Sequence, residues 1–104
     1  MLNYKYKILI YKHELDDCEM LRYIEEDLSG YENRVVLVFS DGSYGCASHN
    51  FEFNANLSDC ALPTVNEFYT SGDYDSNEAD YHEITKEIFE QNWFKAIGFY
   101  NNII

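Results

Sequence analysis

Residues 14–29, ELDDCEMLRYIEEDLS, decide how the rest of the chain is arranged. Leu15, Cys18, Leu21, Ile24 and Leu28 recur at steps of three and four, the spacing of one apolar stripe on an amphipathic helix. Asp16, Asp17, Glu19, Glu25, Glu26 and Asp27 fill most of the remaining positions, and Gly30 follows as a natural C-terminal stop. The spacing therefore predicts a helix over 14–29 with an acidic outer face.

Upstream, residues 4–12 alternate as a strand does. Tyr4, Tyr6, Ile8 and Ile10 share one face, while Lys5 and Lys7 begin the other, which ends in Leu9 and Tyr11. Lys5, Lys7 and Lys12 then read as the polar rim of an edge strand, where lysines discourage pairing with another sheet. Downstream, RVVLVFS (34–40) is apolar without a break over five residues, as suits a central strand covered on both faces. Asp41-Gly42 is a strong hairpin signal. The return through SYGCASH leads into NFEFNANL, with Phe51, Phe53, Ala55 and Leu57 inward and Glu52, Asn54 and Asn56 outward. One bent strand or two short ones fit equally, and Gly45 marks a candidate bulge.

A short helix is expected over about 63–69, with Pro63 in its first turn and Thr64-x-x-Glu67 as a capping box. Asp80-x-x-Glu83 is read as the cap of a last helix running to about Ile97, with Ile84, Ile88, Trp93 and Ile97 inward, Phe89 and Phe94 beside them, and Gly98 as its end. The expected fold is α+β in a single domain, 1–104: a small, mainly antiparallel sheet of three to four strands with helices on one face, in the order β-α-β-β-(β)-α-α.

The formal net charge of −12 on 104 residues narrows the function more than any motif does. No Lys or Arg occurs between Arg34 and Lys86. Nucleic acid and anionic membranes must be met by cations, so direct binding to either is not expected. Three cysteines without a C-x-x-C pair point to free thiols and a reducing, cytoplasmic setting, and the N-terminal stretch reads as neither signal peptide nor membrane span.

Catalytic and cofactor chemistry find little footing. Asp73-x-Asp75-x-Asn77 begins like a calcium loop, but Glu78 stands where glycine is needed and Ile84 where a bidentate glutamate is needed. Cys46-x-x-His49 lacks two further zinc ligands at suitable spacing. A Cys46 or Cys60 nucleophile has no basic neighbour to lower its pKa. The expectation is a protein without enzyme activity, metal or cofactor.

What remains is the acidic surface. Carboxylates on a folded scaffold can imitate the close spacing of phosphates, and tyrosines among them act as rigid anchors. Tyr69, Asp73, Tyr74, Asp75, Glu78, Asp80, Tyr81 and Glu83 are the candidate partner-binding residues, joined by Asp16, Asp17, Glu25 and Glu26 of the expected first helix. The expected function is a small acidic inhibitor that occludes a basic, nucleic-acid-acting protein. Toxin immunity and a phage-encoded anti-CRISPR or anti-restriction role present the same surface. An acidic assembly subunit without a basic partner is the alternative from another class.

Overall fold

A computed structural model describes residues 3–12 and 18–103. Its elements, in chain order, are β1 (Lys5–Tyr11), β2 (Glu19–Glu26), β3 (Glu32–Phe39), β4 (Tyr44–Ser48), β5 (Phe51–Phe53), α1 (Val65–Thr70), β6 (Ala79–Glu83) and α2 (Lys86–Ile103). The six strands form one open antiparallel sheet in the order β5-β4-β3-β2-β1-β6. The expectation of three to four strands with helices on one face is thus overturned.

The decisive correction falls on the stretch read as the first helix. Residues 19–26 are β2, hydrogen-bonded to β1 on one side and β3 on the other. Their helical propensity yields to two ladders and to cross-strand charge pairs that a helix would not form. Arg22 pairs with Glu32, Glu25 with Arg34, and Glu26 with Lys7. Gly30, with φ 88°, serves the β2–β3 hairpin instead of ending a helix. Asp27 Oδ1 accepts the N–H groups of Ser29 and Tyr31 in that turn, a side-chain substitute for a backbone turn. Leu28, expected in the core, is exposed at the hairpin tip.

Other readings hold. β3 is covered on both faces: Val35 belongs to one core cluster and its neighbour Val36 to the other. The Asp41-Gly42 hairpin forms, with Gly42 at φ 86° and Asp41 Oδ1 accepting from Ser43. The capping box of α1 forms as read, Thr64 Oγ1 accepting from Glu67 N at 3.0 Å and Glu67 Oε1 from Thr64 N at 2.9 Å. The 44–57 region resolves into two strands, and the pairing of β3 with β4 runs through Gly45 without a bulge. Gly45 is needed for another reason: a Cβ there would sit 2.6 Å from the carbonyl oxygen of Asn54.

The two sides of the sheet are covered differently, which places the helices on opposite faces. One cluster gathers Ile24, Val35, Ala47, Ala79 and Tyr81 beneath Phe68 of α1 and the loop residues Leu57 and Leu62. The other gathers Val36 and Cys46 beneath Phe89 and Ala96 of α2, with Trp93 and Ile97 beside them. Phe51 and Phe53 join the α2 side while Ala55 and Leu57 join the α1 side. The chain crosses the sheet edge at Asn54, whose φ of 54° is unusual for a residue with a Cβ.

The C-terminal third departs most from expectation. Residues 79–83 are β6, paired with β1, so Asp80-x-x-Glu83 caps nothing and β1 is not an edge strand. Lys7 is accordingly buried and not part of a polar rim. Thr85 precedes α2 and accepts from Ile88 N through Oγ1 at 3.2 Å. The helix continues past Gly98 to Ile103. Its extra turn carries Phe99 against Tyr44 and Tyr100 against Phe51 and Phe53, contacts that outweigh the roughly 1 kcal/mol cost of a helical glycine. Ile88 and Phe94, read toward the core, are exposed.

Candidate functional site

Residues 71–78 leave α1 and return to the sheet edge without regular structure. Gly72 takes φ 81°, and Asp75 Oδ1 accepts from Asn77 N at 2.9 Å in a side-chain-stabilised turn. These local bonds hold Asp73, Asp75 and Glu78 outward, where all three are exposed, and Glu83 at the end of β6 is exposed as well. Asp80 is only partly exposed: it lies 3.3 Å from Lys12 Nζ, which also donates to the Ser76 carbonyl. Tyr69 and Tyr74 are each about 42% exposed, so their rings face both core and water. The Tyr69 hydroxyl accepts from Tyr81 N at 2.9 Å and donates to Asp80, closing one backbone position on the outer strand edge.

Of the candidates chosen from the sequence, three are not surface residues and two fall outside the described residues. Tyr81 is 2% exposed, its ring against Phe68 and its hydroxyl donating to the Pro63 carbonyl at 3.1 Å. Burial holds that phenol well above its ordinary pKa. Glu25 and Glu26 are buried because they belong to β2 and not to a solvent-facing helix. Asp16 and Asp17 lie outside the described residues.

Glu25 shows what the interior does with charge. It accepts from Tyr6, Asn33 and both Nε and a terminal nitrogen of Arg34. Burial alone pushes its carboxyl up, but the donors from Arg34, Asn33 and Tyr6 outweigh that and hold it below the usual range. Tyr6 is pushed up to about 12 by burial and by that same carboxylate. Arg34 also bonds Glu90 of α2 and lies 4.9 Å from the ring centres of both Phe89 and Trp93. Lys7 Nζ reaches Glu26 at 2.5 Å and the Pro63 carbonyl at 2.9 Å, tying the loop onto the sheet. Sequence reasoning missed these pairs. Their signal was the opposite charges spread over 5–7, 19–26 and 32–34, which meet only once all three stretches are read as neighbouring strands.

Beside the acidic segment a cleft of about 490 Å³ opens between the sheet and the 58–63 loop. Four aromatic rings line it, those of Tyr11, Phe68, Tyr74 and Tyr81, with Glu19, Arg22 and Glu32 as its charged groups. Phe68 and Tyr74 are stacked with ring centres 5.5 Å apart. Arg22 donates from Nε and a terminal nitrogen to the two oxygens of Glu32 at 2.9 and 2.7 Å, and to the Asn56 carbonyl at 2.9 Å. Glu32 further accepts from Ser58 N at 2.7 Å. Glu19 is held more loosely, 3.5 Å from Arg22 and hydrogen-bonded by Tyr11, whose phenol burial and Glu19 together push up.

Among the described residues, no group of three His, Cys, Asp or Glu side chains is placed to hold a metal ion. Cys46 is fully buried beneath α2 and burial pushes its thiol up, the opposite of what a nucleophile needs. No described helix is long and apolar enough to cross a membrane.

A family model described as a domain of unknown function (DUF6881) matches residues 5–98, and the chain belongs to that family. No curated protein and no solved structure matches the chain.

Proposed function

We propose that this protein is an acidic inhibitor that binds a basic, nucleic-acid-acting protein and blocks it by occlusion. The observation that carries the reading is where the charges lie. Glu25, Glu26 and Glu32 are matched inside by Arg34, Lys7 and Arg22, three against three, so the net −12 belongs to the rest of the chain. Asp73, Asp75, Glu78 and Glu83 are exposed there, next to the half-exposed Tyr69 and Tyr74. Carboxylates beside rigid amphipathic rings suit a partner built to receive phosphates and bases.

Acids of this kind attract a basic partner from a distance and raise its association rate, while the tyrosines supply contacts that slow dissociation. The inhibitor needs no chemistry of its own. Toxin immunity and phage anti-defence are two settings for that one mechanism.

A panel of basic nucleases, assayed on a fluorogenic nucleic-acid substrate with increasing inhibitor at two salt concentrations, tests the proposal. The expected result is stoichiometric loss of cleavage for at least one enzyme. Association should slow steeply with salt, and the triple change Asp73→Asn, Asp75→Asn, Glu78→Gln should weaken inhibition tenfold or more. Matched neutralisation of Glu52, Asp59 and Glu87 should do much less. Equal effects from both sets, or no basic protein inhibited at low salt, would overturn it.

A further inference from the structure

The cleft and the acidic segment share a residue. Tyr74 lies between Asp73 and Asp75 in sequence, and its ring forms part of the cleft lining. We propose that the cleft is a socket for a guanidinium side chain, an arginine of the partner polypeptide, an inference that rests on the basic-partner reading above. Its volume of about 490 Å³ falls within the ~300–1,000 Å³ range of ligand pockets.

The charged groups of the cleft decide the sign of its occupant. Arg22 is already committed to Glu32 and to the Asn56 carbonyl, and Glu32 to Arg22 and Ser58 N. These two charges cancel. Among the described residues, Glu19 is left as the excess charge, with a carboxylate's several lone pairs and a 3.5 Å contact to Arg22 beside the Tyr11 hydroxyl. An anion entering here would meet Glu19 and Glu32, with no free cation among the described lining residues to receive it. An uncharged apolar group would strip water from Glu19 and offer nothing in exchange.

A cation meets both the carboxylate and the ring faces. Phe68 and Tyr81 are buried against each other, so the more accessible rings of the lining are those of Tyr74, about 42% exposed, and the half-buried Tyr11. Ring faces in the same cleft as a carboxylate suit arginine better than lysine, because a planar guanidinium stacks on rings while its fork of N–H groups takes a carboxylate in a bidentate manner. The exposed acids on either side of Tyr74 would draw the partner to the mouth, and the socket would fix one side chain in place. That division assigns rate to the rim and residence time to the cleft.

The probe is the tripeptide acetyl-Gly-Arg-Gly-amide, titrated into the ¹⁵N-labelled protein and followed by two-dimensional NMR. Controls carry citrulline, the uncharged isostere, or lysine at the central position. Saturable shifts are expected at the amides of Tyr11, Glu19, Phe68 and Tyr74, with citrulline at least tenfold weaker and lysine in between. Glu19→Gln and Tyr74→Ala should each weaken the arginine peptide about tenfold while the spectrum elsewhere stays that of the folded protein. Equal binding of citrulline, or shifts confined to the exposed acids of 73–83, would overturn the socket. A basic nuclease inhibited without any arginine-dependent shift in the cleft would overturn the socket and leave the inhibitor reading standing. Arginine-specific shifts in the cleft, with no basic protein inhibited, would support the socket and overturn that reading.

Discussion

Glu25 and Asp73 are both acids in carboxylate-rich stretches, and as letters they invite the same reading. Their surroundings separate them. Glu25 is buried with four hydrogen bonds from three side chains, whereas Asp73 is exposed and its N–H donates to the neighbouring Ser71 hydroxyl. Removing one partner of a buried charge network strands the other, so Glu25→Ala should lower unfolding free energy by about 3 kcal/mol. Asp73→Asn should stay within about 0.5 kcal/mol, and urea unfolding at pH 7 measures both. The acid side carries a signature too. Because the folded state holds Glu25 below its ordinary pKa, its contribution is complete above about pH 4.5 and is lost as pH falls through the depressed value. The gap between the parent and Glu25→Ala should therefore be widest at neutral pH and shrink under acid. A gap independent of pH would mean that packing, not charge, holds this site.

At the scale of elements, what was legible depended on whether a local signal had one meaning. The Asp41-Gly42 hairpin, the Thr64–Glu67 capping box and the doubly covered β3 each rest on chemistry with few alternatives, and each forms. Residues 19–26 carried a two-way signal. Steps of three and four among apolar residues fit a helix, yet Arg22, Ile24 and Glu26 also alternate as one strand face must. Gly30 after Asp27 closes a hairpin as readily as it ends a helix. The choice was made by Lys7, Glu32 and Arg34, partners distant in sequence that no local window contains. The candidate site suffered for the same reason, losing Glu25 and Glu26 to the interior, while the exposed acids of 73–83 needed no distant partner to be read. Gly98 offers a direct check on the helix that replaced the expected stop. It lies inside α2, exposed, with nothing within 4 Å of an added Cβ. Gly98→Ala should therefore stabilise the protein by about 0.5–1 kcal/mol, raising the melting temperature by several degrees. Were the chain left-handed at Gly98, as a C-terminal stop requires, alanine would lower the melting temperature instead.

For the molecule as a whole, charge opposes the fold and, on the reading proposed here, serves the encounter. The Cα radius of gyration is 13.6 Å, well inside the ~30 Å Debye length at 10 mM salt. Most exposed acids then feel one another, and a net −12 works against compaction. Three of the favourable pairs are sheltered: Glu25, Glu26 and Glu32 have side chains at most 9% exposed, so salt screens them less than it screens the repulsion outside, while Lys12–Asp80 and Arg34–Glu90 are more open. Raising sodium chloride from 10 mM to 0.5 M at pH 7 should therefore raise the melting temperature. The same change should slow association with a basic partner, because the long-range field that steers it is the one being screened. The two responses must have opposite signs, which ordinary surface ion pairs would not produce. A melting temperature that falls with salt would mean that exposed acids are matched by nearby cations, and the field that draws in a basic partner would then be too weak for the role.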